Sequence, residues 1–260
     1  MKAVLSIAGS DSSGGAGIQA DIKTIAAHKL FAETVITALT AQNTTGVYGV
    51  QESDPAFVGL QIDTVFDDIV PDAVKVGMVS SAAIIETIAD HLVKNKARNI
   101  VVDPVMIATS GARLIDEDAI GALCTRLIPL ADIITPNIPE AAALCGFAIE
   151  CENDMLAAGK KLTEMCHGAV LIKGGHRSDD ANDLLITRHG REVWLRHKRI
   201  DTRNTHGTGC TLSAAIACNL AQDFDMQACV QKAKNYITGA LMDDLALGRG
   251  NGPLNHMWNY

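Results

Sequence analysis

Short runs of β-branched and aliphatic residues alternate along the chain with longer stretches whose apolar positions recur every three or four residues. The runs Ala3–Ala8, Thr34–Thr40, Ala73–Val76, Asn99–Asp103, Asp132–Thr135 and Ala169–Lys173 predict strands. Between them Ile18–His28, Ala82–Lys94, Glu117–Leu127, Pro139–Cys145 and Met155–Met165 predict helices, and Thr208–Ala221 and Met226–Leu247 complete the series. In Thr208–Ala221, Leu212, Ala215, Ile216 and Leu220 fall on one face. From Leu185 to Asp201 the pattern becomes two short strands around His189-Gly190, which predicts an antiparallel edge hairpin. Strands alternating with helices imply crossover units, hence a mostly parallel α/β sheet covered on both faces. No repeat, low-complexity tract or linker divides the chain, so one domain over residues 1–260 is expected.

In open α/β sheets, ligands bind outside the carboxyl ends of the strands. The unusual glycine and polar clusters all follow predicted strands: Gly9–Gly17, Thr40–Gly46, Gly77-Met78, Asp103–Met106, Thr135–Glu140 and Lys173–His176. One pocket could collect them.

Composition narrows the function classes. A net charge of −8 removes a broad basic footprint for nucleic acid, and 4% aromatic residues argue against a base-stacking platform. The first apolar run, Ala3–Ala8, is too short for a secretory signal or a membrane span. The seven cysteines are odd in number and form no Cys-x-x-Cys pair. Neither a disulfide framework nor a zinc site is expected, and a reducing cytoplasm is.

The clearest chemistry lies in Asn204-Thr205-His206-Gly207-Thr208-Gly209-Cys210-Thr211, which leads straight into a helix. Two glycines permit close backbone approach, and the unpaired N–H groups of the helix start suit a phosphate or a migrating phosphoryl group. A glycine turn with a Thr cap would give the same pattern without function. Cys210, at that helix start, is expected to have a lowered thiol pKa. In Gly9–Gly17 the spacing Gly15-x-Gly17-x-x-Ala20 superficially matches a dinucleotide fingerprint. It begins well after the first strand, and Thr40–Asn43 stands where a ribose-binding acid would be needed, which disfavours an NAD-dependent oxidoreductase. A polar loop over a small substrate, with Asp21 one turn into the helix, fits better.

Asn137 and Glu140 could orient waters around Mg²⁺, with Asp103 as a second carboxylate, although cap and N3 spacing explains the first two equally. Lys173 beside Gly174-Gly175 could approach a polyphosphate, while Lys234 alone reads as a surface charge. No Gly-x-x-x-x-Gly-Lys-Ser/Thr, Gly-x-Ser-x-Gly or His-Glu-x-x-His occurs.

In their order, Ala8–Asp21, Thr40–Thr44, Val102–Met106, Thr135–Glu140, Lys173–His176 and Asn204–Cys210 closely resemble the hydroxymethylpyrimidine/phosphomethylpyrimidine kinases of thiamine biosynthesis, within the ribokinase-like superfamily. The resemblance runs from Ala3 to Gly250-Asn251-Gly252-Pro253. It implies a three-layer α/β/α sandwich, usually a homodimer. The implied activity is ATP-dependent phosphorylation of 4-amino-5-hydroxymethyl-2-methylpyrimidine and then of its monophosphate. The implied pyrimidine pocket includes Gly9, Ala16, Asp21, Gln42, Met78 and Val105. Asp103, Asn137 and Glu140 would manage Mg²⁺, and Lys173, Thr208 and Lys234 would lie along the nucleotide. Gly207, Thr208, Gly209 and Cys210 would form the catalytic run, with Cys210 accepting the alcohol proton. Sugar kinases of the superfamily end this run in Asp. The thiol is shared with a related group of pyridoxal kinases, so pyridoxal is the rival substrate. Ser12-Ser13 and Gly250-Asn251-Gly252 depart from the commonest family wording.

Overall fold

Successive side chains of a strand point to opposite faces, so each buried strand here feeds two cores at once. The computed structural model describes residues 1–106, 117–175 and 181–260. The strands are β1 (Ala3–Asp11), β2 (Phe31–Asn43), β3 (Gly46–Glu52), β4 (Ala73–Val76), β5 (Ile100–Val102), β6 (Ile133–Ile134), β7 (Ala169–Ile172), β8 (Asp183–Ile186) and β9 (Glu192–Leu195). Among the described residues they form one sheet in the order β3-β2-β1-β4-β5-β6-β7-β8-β9. The block from β2 to β7 is parallel, and β3, β8 and β9 pair antiparallel at its two edges.

The helices are α1 (Gly17–Ala27), α2 (Pro55–Asp68), α3 (Ala82–Lys94), α4 (Glu117–Ala122), α5 (Ile138–Cys145), α6 (Glu152–Met165), α7 (Thr208–Ala221) and α8 (Met226–Met242). Leu5, Ile7, Val74, Val76, Val102, Ile134, Val170 and Ile172 pack under the layer of α2 to α6. Their neighbours Val4, Ala73, Val101, Ile133, Ala169 and Leu171 face α1, α7 and α8. This is the three-layer α/β/α sandwich that the resemblance implies, with the expected edge hairpin turning at Gly190 (φ +77°). The chain leaves β1 outward to β2 and β3, then returns to β4 on the other side of β1. The loops after β1 and β4 therefore diverge and open a crevice at the carboxyl end of the sheet.

Several elements differ from expectation. The cluster at 40–46 is not a loop: β2 continues to Asn43 and pairs with β3, with Gln42 opposite Val47. Every residue of β3 is exposed or half-buried, so backbone pairing rather than an apolar face holds it. The helix α2 had a legible start, because Asp54 accepts the N–H groups of Ala56 and Phe57 ahead of Pro55. The stretch Glu117–Leu127 leaves the α-helix at Leu123 for a π turn. The last helix ends at Met242 rather than Leu247. Asp243 and Asp244 follow it, where acidic groups disfavour continuation, and Asp244 instead accepts the N–H of Ala246 at 2.9 Å. His176 lies outside the described residues. All seven cysteines are free, and no helix among the described residues is long and apolar enough to cross a membrane.

Glu33 on β2 is buried, and its Oε2 has no hydrogen-bond partner among the described residues. Burial, with help from Asp68 and Asp72, pushes its pKa up to about 7. The folded chain thus holds a proton that the unfolded chain releases at lower pH, and stability falls as pH rises through that window. Glu33→Gln should raise the unfolding free energy by about 1 kcal/mol at pH 8 and change it little at pH 4. Denaturant melts at the two pH values check this.

Candidate active site

Helix α7 begins at the carboxyl end of the sheet because Gly207 precedes it in the left-handed region (φ +83°). A Cβ at Gly207 would run into the carbonyl oxygen of Gly15, so the close packing of the first loop on this turn requires glycine. The Thr208 hydroxyl donates to Thr205 O at 2.7 Å and fixes the turn from within. The Thr208 N–H is drawn into the same turn, donating to Thr205 O at 3.3 Å, and the N–H groups of Gly209 and Cys210 are left as the open donors of the helix start, a hole suited to an anion.

Beside the hole lies a buried charge cluster. Lys173 Nζ donates to Asp103 Oδ1 at 2.7 Å, and the same oxygen accepts the Thr135 hydroxyl at 3.0 Å. A Cβ added to Gly209 would stand 3.2 Å from Asp103 Oδ2 and 3.4 Å from Lys173 Nζ, so the residues that follow β5 and β7 converge on the start of α7. Burial opposes charge on Asp103, but Lys173 and Lys75 outweigh it and hold the carboxyl below its ordinary range. Burial likewise opposes charge on Lys173, yet Asp103 and Glu140 keep its ammonium protonated beyond the ordinary value.

Asn137 and Glu140 form a reciprocal capping box on α5: Glu140 N donates to Asn137 Oδ1 and Asn137 N to Glu140 Oε2, both at 2.8 Å. The cap is real, and it also delivers a buried carboxylate to the Lys173 side of the crevice. Burial raises the Glu140 pKa, and Lys173 opposes the rise. Asp103 and Glu140 are hard oxygen donors, as Mg²⁺ prefers. No group of three His, Cys, Asp or Glu among the described residues is arranged to hold a metal alone. The pair therefore fits an ion that takes its remaining ligands from water and phosphate.

On the other side of the hole stand the residues expected around the substrate. Gly9 is buried at the end of β1, and a Cβ there would meet Met78 Sδ at 3.0 Å. The Met78 carbonyl accepts the Thr37 hydroxyl at 2.8 Å, which holds this half-buried side chain after β4. Gln42 N and Ser12 Oγ lie 3.0 Å apart, which draws the β2–β3 hairpin to the first loop. Ala16 caps α1 and donates to Asp11 Oδ2 at 2.8 Å. Val105, half-buried, follows Asp103-Pro104 and donates its N–H to Asp103 O at 2.8 Å.

Three expectations need correction. Asp21 is fully buried and does not reach the crevice: its Oδ2 accepts Lys75 Nζ at 2.8 Å and Ser6 Oγ at 2.5 Å. Lys234 is neither a surface charge nor free for a nucleotide. It donates to Asp183 Oδ2 at 2.6 Å, and Asp183 Oδ1 accepts Gly174 N at 2.8 Å, so it props the glycine turn after Lys173. The Cys210 thiol is pushed above its ordinary value by burial; Lys75 and the Gly17 N–H pull it down without reversing the direction. Burial outweighs the helix-start effect that alone would lower it.

Lys75 was missed altogether. It sits mid-strand in β4 and is fully buried. Burial disfavours its charge, but Asp21, Cys210 and Asp103 together raise its pKa. Its only sequence signal is a charged residue inside an otherwise apolar strand. Also missed were Asp11 and His206, whose Oδ2 and Nε2 lie 2.8 Å apart in the interior. Both belong to clusters picked out from sequence, but nothing in the linear pattern joins positions so far apart.

Residues 11–255 match the phosphomethylpyrimidine kinase family. A hydroxymethylpyrimidine/phosphomethylpyrimidine kinase of Haemophilus influenzae is 44% identical over 264 residues, covering 100% of this chain and 98% of its own length. The thiamine biosynthesis bifunctional protein of Geobacter sulfurreducens is 48% identical over 98% of this chain, which spans only 52% of that longer protein. Among solved structures, a phosphomethylpyrimidine kinase from Clostridium difficile superposes with a TM-score of 0.82 at 44% identity, over 92% of this chain and 99% of that one. The ADP complex of Bacillus subtilis pyridoxal kinase superposes at 0.91 with 36% identity, over 98% and 97%. The sequence match and the shared fold agree, and the chain belongs to the phosphomethylpyrimidine kinase family.

Proposed function

We propose that the chain transfers the γ-phosphoryl group of ATP to 4-amino-5-hydroxymethyl-2-methylpyrimidine and then to the resulting monophosphate. The observation that carries this reading is the convergence of the α7 anion hole with the Asp103–Lys173 pair, 2.7 Å apart, in a chain matched to this kinase family over residues 11–255. Phosphoryl transfer runs largely on positioning and charge neutralisation. The amides of Gly207, Gly209 and Cys210 hold the migrating group, and Lys173 neutralises charge building on the leaving oxygens. Asp103 and Glu140 would hold Mg²⁺ through water, and the ion would supply charge neutralisation to the phosphates. Gln42 offers a donor and an acceptor to the aminopyrimidine edge, while Gly9, Ala16, Met78 and Val105 shape the ring site. Asp21 and Lys234 support from behind, through Lys75 and through Asp183. A single domain, a homodimer and a reducing cytoplasm complete the reading. Exposed Leu39, Tyr48 and Val50 on the outer hairpin are consistent with contact to a second copy.

An assay offering ATP-Mg²⁺ with the hydroxymethylpyrimidine, its monophosphate and pyridoxal, with product mass as readout, tests the substrate. A pyrimidine diphosphate is expected. Phosphate appearing only on pyridoxal would overturn the reading and favour the rival suggested by the shared thiol.

Cys210 accepts the alcohol proton as the minor thiolate, since burial keeps most of the thiol protonated. The single-turnover rate of the first phosphorylation should therefore rise with pH through the neutral and alkaline range, and the second, whose nucleophile is an ionised phosphate, should not. Cys210→Ala should slow the first step far more than the second and remove its pH dependence. Equal losses in both steps would make Cys210 a positioning residue.

Glu140→Gln keeps an acceptor for the α5 cap but removes the charge. The melting temperature should stay near that of the parent, while the Mg²⁺ concentration for half-maximal rate rises roughly tenfold, as the loss of one charge-assisted ligand interaction implies. A Mg²⁺ titration of the initial rate reads the effect.

A further inference from the structure

The loop between β1 and α1 and the turn before α7 lie at opposite ends of the sequence and meet through one buried pair. Asp11 closes β1, and its side chain is the hub of the loop. Oδ1 accepts the N–H and hydroxyl of Ser13, each at 2.8 Å, and Oδ2 accepts Gly15 N at 3.1 Å and Ala16 N at 2.8 Å. Oδ2 also takes His206 Nε2 at 2.8 Å. Burial would raise the Asp11 pKa, but these bonds, that from His206 foremost, hold it at about 2. Asp11 is thus an acceptor throughout the working range, and His206 Nε2 must carry its proton and donate.

His206 is held at its main chain and at its ring. Its backbone N–H donates to Gly252 O at 3.0 Å, and a Cβ at Gly15 would run into the imidazole. The next residue, Gly207, opens the anion hole directly beneath Gly15 O. Asp11 and His206 are 3% and 6% exposed, so the pair presents almost no surface to the crevice. Engagement in this bond also leaves Nε2 unable to act as a base.

We propose that the Asp11–His206 pair is a latch, a pair of positioning residues that makes the substrate loop (residues 11–17) and the anion hole (205–211) move as one body. Phosphate filling the hole fixes His206, His206 fixes the Asp11 carboxylate, and that carboxylate fixes the loop carrying Ala16. The coupling is reciprocal, so nucleotide and alcohol substrate each favour the other's binding. The proposal rests on the kinase reading for the identity of the ligands.

Amide hydrogen exchange with and without the non-hydrolysable ATP analogue AMP-PCP and Mg²⁺ tests it without the pyrimidine. In the parent protein the analogue should slow exchange in both segments. In Asp11→Asn and His206→Asn it should still slow 205–211 but no longer 11–17. His206→Gln, whose amide can donate in place of Nε2, should restore the response. With the pyrimidine added, kcat of both phosphorylations should fall by roughly 10- to 100-fold in the two Asn variants, as misplacement of reacting groups costs. Loss in both steps alike separates the latch from Cys210. An equal response of 11–17 in parent and variants, or none in the parent, would overturn the proposal. A parent that shows the exchange response yet phosphorylates no pyrimidine would overturn the substrate reading and leave the latch standing.

Discussion

The ion pair of Lys75 with Asp21, 2.8 Å long and wholly buried, is the constraint around which the rest of the site is arranged. An isolated ammonium in the interior costs several kcal/mol, and removing either partner would leave the other uncompensated. The pair therefore fixes α1 against β4 across the switch between β1 and β4, where the sheet opens its crevice. Ser6 on β1 donates to the same Asp21 oxygen, so three neighbouring elements are tied at one point. Above that point stand the start of α1, the start of α7 and the loop after β4.

The charges beyond Lys75 follow from the same requirement. Lys173 and Asp103 form a second pair, more open, with the Lys173 side chain 14% exposed on the crevice side. The closed pair positions elements, and the open one keeps part of its ammonium accessible. Lys234 with Asp183 is a third, set further back, and it holds the Gly174 N–H rather than any ligand. The gradient from closed to open runs toward the anion hole. Fixed charge is thus delivered without a flexible side chain having to find its place, as preorganised electrostatic stabilisation requires.

Much of this was legible in the sequence because it depends on local pattern. Strands β1, β4, β5, β6 and β7 announce themselves as aliphatic runs, and their glycine and polar followers mark the crevice. Gly207 and Gly209 are legible for the same reason, since a glycine pair before an amphipathic helix has few uses. The edge strand β3 was not, because it lacks an apolar face and is held by pairing to β2. Lys75 was missed and Asp21 misjudged through distance: 54 positions separate them, and neither alone shows its partner. Asp11 and His206, 195 positions apart, show the same limit. Lys234 was misplaced in function because a lysine on a late helix carries no local sign of the carboxylate it meets.

The charge balance also gives a physical reason for a thiol at position 210. Lys75 and Lys173 are the two cations of the buried site, and Asp21, Asp103 and Glu140 already face them. A carboxylate at 210, as in the sugar kinases of the superfamily, would add another negative charge beside Asp21 and Asp103, which already act to raise the Cys210 pKa. Like charges so placed push one another toward protonation, and a protonated acid accepts no proton. A thiol mostly neutral at rest avoids that conflict and leaves the field of Lys75 free to favour its thiolate. The residue at 210 and the buried lysine at 75 are in this sense one choice.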